Sequence, residues 1–263
     1  MGSLVSSLLR PAGEPPLLVG HRGIPVLAPD NTLRSFELAL RNGADTVEVD
    51  VVALDSGTIL AGHSLELAEL CHGAARGHAG KRTLEQLREL DPELATLEQV
   101  LAFLAGTLDG RPFLLDLKSD LPLSRLVSLL RAAGLSEQAL LCSLERRTLV
   151  QLRSLAPEIA RSLSYPADRY RASERRVIAP LVPAALRVMR LVLESRLAAW
   201  LDQTGSSVVT LHHGVVTRAL VERCHDREVA VIVWTVDDAS LWRTVDTAGA
   251  DAIISNDPRR SVH

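Results

Sequence analysis

The stretch that decides the fold runs from Leu17 to His63. It reads Leu17-Leu-Val-Gly-His21-Arg22-Gly23, then Pro29-Asp-Asn31-Thr32-Leu-Arg-Ser35-Phe36, then Gly43-Ala-Asp-Thr-Val-Glu48-Val-Asp50-Val51, and closes on Ile59-Leu-Ala-Gly-His63. Two short apolar runs, Leu17–Gly20 and Thr46–Val52, read as strands on either side of a helix over Thr32–Arg41. Side chains two apart on a strand share a face, so Glu48 and Asp50 point the same way, with Val47, Val49 and Val51 opposite. Taken alone, such a pair of carboxylates could be a solvent-facing stripe. On the inner face of a buried strand they instead require a cation or a basic partner. His21 ends the first strand and His63 ends an apolar run after the Asp55-Ser-Gly57 turn. Two imidazoles and two carboxylates gathered at strand ends are the parts of a metal-assisted acid–base site.

Outward from this stretch, the pattern repeats. Strands are expected at Phe113–Leu117, Ala139–Leu144, Ile159–Leu163, Val208–Leu211, Val229–Trp234 and Ala252–Ser255. Helices are expected at Thr83–Leu90, Thr96–Leu104, Leu123–Ala133, Arg147–Leu155, Val216–His225 and Ala239–Ala248. Eight strands alternating with helices predict an α/β fold, a (β/α)₈ TIM barrel. The 263 residues suit a single domain over residues 16–263, preceded by an N-terminal tail at 1–15. Residues 64–82, with Gly73, Gly77 and Gly80, read as a loop over the site; His72 and His78 there have no regular ligand spacing.

Composition narrows the classes. Apolar residues make up 47% and aromatics only 3%, so the core is built from Leu, Val, Ala and Ile. A net charge of −3 gives no reason to expect a nucleic-acid partner. Cys71, Cys142 and Cys224 form no metal-ligand spacing and cannot all pair, which suits a reducing, cytoplasmic location. The N-terminus lacks the features of a secretory signal, and no apolar run reaches the ~18 residues of a membrane span. The sequence assigns no oligomeric state.

Together these segments resemble the glycerophosphodiester phosphodiesterase family, whose pattern runs His-Arg-Gly, Pro-Glu-Asn-Thr, Gly-Ala-Asp-x-x-Glu-x-Asp-Val and His-Asp. Leu114-Leu-Asp116-Leu-Lys118 resembles the family's Glu-x-Lys strand. Val233-Trp234-Thr-Val-Asp237 and Gly249-Ala-Asp251-Ala-Ile-Ile-Ser255-Asn-Asp-Pro258 resemble its closing segments, so the likeness spans nearly the whole chain. The resemblance implies a divalent cation, Mg²⁺ or Ca²⁺, held by Glu48, Asp50 and Asp116. It implies His21 and His63, with near-neutral pKa values, as the acid and base, and Arg22, Lys118 and Trp234 on the substrate, with Asn31 in support. The implied reaction cleaves a glycerophosphodiester to sn-glycerol 3-phosphate and an alcohol. Two rivals stand beside it: phospholipase D-like cleavage of lysophospholipids or sphingolipids, and a catalytically silent barrel used for binding or as a scaffold. Three positions depart from the family pattern: Asp30 and Asp116 stand in place of glutamates, and Ser64 in place of an aspartate.

One segment exceeds a minimal barrel. Residues 165–200 mix Leu181, Val182, Leu186, Val188, Leu191, Val192 and Leu193 with Arg169, Arg171, Arg175, Arg176, Arg187, Arg190 and Arg196. A basic amphipathic helix suits peripheral contact with an anionic membrane, or closure over a lysolipid substrate. The alternative is a barrel helix with an extended lead-in.

Overall fold

The structure is a computed structural model that describes residues 2–118, 120–166 and 181–261. Helix α1 (Gly2–Leu8) precedes strand β1 (Leu17–His21), helix α2 (Leu33–Arg41), strand β2 (Thr46–Ala53) and the short β3 (Ile59–Ala61). Helices α3 (Leu67–Leu70), α4 (Leu84–Arg88) and α5 (Leu97–Thr107) lead to β4 (Phe113–Leu117). The alternation then continues through α6 (Leu123–Ala132), β5 (Ala139–Ser143), α7 (Arg146–Leu155), β6 (Ala160–Tyr165) and α8 (Val182–Thr204). It ends with β7 (Val208–His212), α9 (Arg218–His225), β8 (Ala230–Trp234), α10 (Ala239–Ala248) and β9 (Ala252–Ser255).

All these strands except β3 pair in parallel, and β1 meets both β2 and β9, which closes an eight-stranded TIM barrel. The extra strand β3 runs antiparallel to the end of β2, pairing Val51 with Ala61, and so turns the chain back toward the site at His63.

Alternation along each strand sorts side chains between lumen and shell. Val47, Val49 and Val51 face out and pack with Phe36 and Ala39 of α2 and Leu97, Val100, Leu101 and Leu104 of α5. Complete burial of a side chain such as Phe36 contributes about 1.5–3 kcal/mol. The N-terminal half of the lumen is apolar, with Val19, Leu114, Leu140, Val208, Ile232 and Ile254 in one cluster. Leu4 and Leu8 of α1 join that cluster, so residues expected as a tail instead contain a helix packed on the barrel floor.

Local chemistry fixes the elements. Thr32 caps α2, its Oγ1 accepting from Ser35 N at 3.1 Å, and Thr83 and Thr96 form capping boxes with Gln86 and Gln99. Gly23, at φ 88°, passes so close to α2 that a Cβ there would lie 2.5 Å from the Ser35 carbonyl carbon. Arg161 is buried, and its guanidinium donates to the carbonyls of Ala156, Ile159, Thr204 and Gly205, tying the ends of α7 and α8 together.

Helix α8 divides in two. Leu193, Leu197, Leu201 and Thr204 are buried against the barrel, which makes the C-terminal half the barrel helix between β6 and β7. Leu193 is therefore core. On the N-terminal half Leu181, Val188, Leu191 and Val192 are exposed. Arg169, Arg171, Arg175 and Arg176 lie outside the described residues.

Candidate active site

Strand register assembles the acidic cluster. Asp50 of β2 pairs with Asp116 of β4, and Glu48 lies two residues earlier on the same face as Asp50. One oxygen from each of Glu48, Asp50 and Asp116 lies within 4.8 Å of the others. The shorter Asp116 thus still reaches the group. Lys118 bridges the pair, its Nζ 2.6 Å from Asp50 Oδ1 and also ion-paired with Asp116. Arg22 Nε lies 2.8 Å from Asp50 Oδ2, Arg22 Nη1 lies 3.2 Å from Asp30 Oδ2, and the Arg22 backbone N–H donates to Glu48 Oε2 at 2.9 Å. Asn31 grips Asp50 twice: its Oδ1 accepts the Asp50 N–H at 3.0 Å and its Nδ2 donates to Oδ2 at 3.2 Å. Arg22 and Asn31 both adopt left-handed backbone conformations, φ 54° and 57°, which aim these groups at the carboxylates.

Burial sets the electrostatics. Burial, then the nearby Asp50 and Asp116, push Glu48 well above the ordinary carboxylate range. Burial works against the charge on Asp50 as well, but Lys118 and Arg22 outweigh it and hold that carboxyl well below the usual range. The Lys118 ammonium is likewise opposed by burial and held charged by Asp50, Asp116 and Glu48. Three oxygen donors without sulfur or nitrogen form the donor set of a hard divalent cation. Three carboxylates converge there against two basic groups, Lys118 and Arg22, and these residues fit a divalent cation.

His21 and His63 stand at the rim of this cluster. His21 Nδ1 lies 2.7 Å from Asn256 Oδ1. Asn256 is itself fixed by Asp237, its Nδ2 donating to Oδ2 at 2.6 Å and its backbone N–H to Oδ1 at 2.8 Å. With the amide nitrogen so engaged, the oxygen faces the imidazole; His21 carries its proton on Nδ1 and leaves Nε2 as a lone pair. His63 Nδ1 lies 3.1 Å from Glu69 Oε2, which also accepts from Ser64 Oγ at 2.7 Å. The near-neutral pKa expected of His63 does not hold in the free protein, and that of His21 shifts in the same direction. Burial, then the Arg22 charge, lowers His21; burial, against the pull of Asp50, lowers His63 to about 4.

A cavity of about 750 Å³ opens over these groups, reaching His21, His63, Asp116, Trp234 and His212. Trp234 donates Nε1–H to the Thr210 carbonyl at 3.3 Å and meets His212 edge-on, with ring centroids 5.2 Å apart. One wall of the cavity is apolar: Leu181, Val182, Ala185, Leu186 and Met189 from and beside α8. Sequence reasoning placed every candidate residue at this mouth, but it assigned no role to Glu69, His72, Asp237 or Asn256. Their contacts join separate elements, although His72 and the segments that hold Asp237 and Asn256 stand out in the sequence.

The family model for the glycerophosphoryl diester phosphodiesterase family matches residues 21–260. The chain belongs to the glycerophosphoryl diester phosphodiesterase family. A glycerophosphodiester phosphodiesterase of Arabidopsis thaliana is 27% identical over 260 residues, covering 93% of this chain and 72% of that protein. One from Caldanaerobacter subterraneus subsp. tengcongensis is 23% identical, covering 94% of this chain and 96% of the other. Among solved structures, the Oleispira antarctica phosphodiesterase, in complex with its product sn-glycerol-3-phosphate, superimposes with a TM-score of 0.73 at 22% identity, over 98% of this chain and 97% of that one. A glycerophosphodiester phosphodiesterase from Agrobacterium tumefaciens gives a TM-score of 0.70 at 20% identity, over 94% and 98%. These structures support the barrel fold of this phosphodiesterase family member; the site rests on its own residues.

Proposed function

We propose that the protein hydrolyses glycerophosphodiesters to sn-glycerol 3-phosphate and an alcohol, using a divalent cation, Mg²⁺ or Ca²⁺, and the His21–His63 pair. The observation that carries this reading is the meeting of three carboxylates and two histidines at the C-terminal mouth of the barrel, in a chain of this family. Glu48, Asp50 and Asp116 would hold the cation, which supplies a Lewis acid for charge building on the phosphate oxygens. Arg22 and Lys118 add fixed positive charge beside the phosphate, and Asn31 keeps Asp50 in place. Trp234 offers an apolar face to the glycerol moiety. One histidine takes a proton from the attacking hydroxyl or water, and the other protonates the leaving alcohol. The arriving phosphodiester is an anion, which favours the imidazolium the acid needs. Retention of the whole constellation speaks against a silent scaffold. Incubation with glycerophosphocholine, glycerophosphoethanolamine and bis-glycerophosphate, read by a glycerol 3-phosphate assay, is expected to give product from at least one; no product from any would refute the reading.

A second reading of the substrate rests on α8. The apolar cavity wall at Leu181 continues outside as exposed Val188, Leu191 and Val192, beside Arg187 and Arg190. A lysolipid would place its chain along that wall, and the arginines would meet anionic headgroups, each contributing about 1 kcal/mol under salt screening. Salt-sensitive binding to anionic vesicles is expected, weakened in a variant carrying Arg187→Glu and Arg190→Glu. Co-sedimentation that shows no binding at low salt, or binding untouched by the reversals, removes the membrane role of this face. Among the described residues no helix is long and apolar enough to cross a membrane. The free, buried Cys71, Cys142 and Cys224 support our placing of the protein in the cytoplasm.

A further inference from the structure

The turn from Leu67 to His72 carries two side chains that the reaction above leaves unused, and each meets a different half of the site. Glu69 Oε2 is the partner of His63 Nδ1, 3.1 Å away, and of the Ser64 hydroxyl, 2.7 Å away. His72, three residues on, reaches the other side. Its Nδ1 lies 2.6 Å from Asp91 Oδ2, and its Nε2 lies 3.0 Å from the Asp30 carbonyl and 3.3 Å from Asp30 Oδ1. Asp30 in turn lies 3.2 Å from Arg22 Nη1, and Arg22 Nε lies 2.8 Å from Asp50.

The turn has a firm base. Leu67, Leu70 and Cys71 are buried in a side core with Val52, Leu60, Leu87 and Leu94, away from the barrel lumen. Glu69 and His72 thus project from an anchored segment. Both His72 nitrogens face oxygen acceptors, which requires both to donate and makes the ring an imidazolium. The hydrogen bond to Asp30, against burial and with help from Asp91, holds its pKa up at about 9. A charged His72 is therefore a fixed cation between two carboxylates. Glu69, for its part, supplies a carboxylate beside His63 where Ser64 brings none of its own.

We infer that this turn is a two-pronged positioning element, in which Glu69 sets the orientation of His63 while His72, through Asp30, sets that of Arg22. The inference rests on the phosphodiesterase reading. Proton transfer requires the imidazole within about 2.6–3.2 Å of the proton it moves, and a 1 Å misplacement can cost about 10²-fold. The two prongs act on different quantities. Misaligned His63 slows the chemical step and lowers kcat, whereas a misplaced Arg22 weakens the hold on the phosphate and raises KM.

Two pairs of variants separate positioning from simple packing. In Glu69→Ala the acceptor for His63 is gone; in Glu69→Gln an amide oxygen remains. In His72→Asn a donor remains only near the Nδ1 position, toward Asp91; in His72→Gln it remains near Nε2, toward Asp30. With glycerophosphocholine at saturating Mg²⁺, Glu69→Ala is expected to lower kcat about 10- to 100-fold with KM within threefold, and Glu69→Gln to recover most of that loss. His72→Asn is expected to raise KM about tenfold with kcat within threefold, and His72→Gln to recover most of that rise. Melting temperatures are read alongside. An active wild type with Glu69→Ala at full kcat, with the members of either pair equally impaired, or with losses that follow melting temperature across all four variants overturns the inference alone. Where another of the three diesters is the one turned over, it replaces glycerophosphocholine in these assays; a wild type inert toward all three removes the phosphodiesterase reading, and this inference with it.

Discussion

His21→Ala and His63→Ala are each expected to lower kcat by about 10²–10⁴-fold, because each removes one proton transfer from the transition state. Melting temperature should change little, since both rings stand at the cavity rim and neither fills the core. If the two histidines act as a unit, the double variant should be hardly worse than either single one. The leaving group assigns the roles. A p-nitrophenyl ester departs without protonation, so the variant that lacks the general acid should regain most of its rate on that diester. The variant that lacks the base should not. Initial rates for both variants on both substrates decide the assignment, and near-normal rates for either variant on an alkyl diester would remove that histidine from the reaction.

Chelation of the divalent cation is expected to produce the other large loss. A Lewis acid on phosphate oxygens stabilises the transition state by several kcal/mol, and each 1.36 kcal/mol is tenfold, so activity should fall about 10³-fold or more. Asp116→Asn should raise the cation concentration needed for half-maximal rate while leaving the fold intact. The raised Glu48 adds a pH signature. A ligand carboxylate must be ionised, so cation binding releases its proton, and apparent affinity should strengthen as pH rises through the titration of Glu48. Activity unchanged by a strong chelator would remove the cation from the reaction, and an Asp116→Asn variant with wild-type cation dependence would remove Asp116 from the site.

The barrel was legible because its signals are local. Strand runs and the Thr32, Thr83 and Thr96 caps lie within a few residues of what they control. The Glu48–Asp50 face and its valine-lined reverse followed from period-two geometry alone, and the β2–β4 register then brought Asp116 into place. Contacts set by distance or burial leave no such local trace. Asp237 and Asn256 meet because β8 and β9 are neighbours, a fact of topology and not of spacing. His72 bridges residues 42 and 19 positions away. Near-neutral histidines were expected because composition carries no desolvation, whereas burial lowers both. The signal for α1 was present: Leu4, Val5 and Leu8 recur at helical spacing, although the segment had read as a tail.

The most direct test of the central claim is a ³¹P NMR time course of glycerophosphocholine, glycerophosphoethanolamine and bis-glycerophosphate with the purified protein and Mg²⁺ or Ca²⁺, repeated with chelator. The account predicts that the resonance of at least one diester is replaced by that of sn-glycerol 3-phosphate, and that chelator arrests the conversion. Persistence of all three diesters, appearance of phosphocholine in place of glycerol 3-phosphate, or conversion that continues under chelation would contradict it.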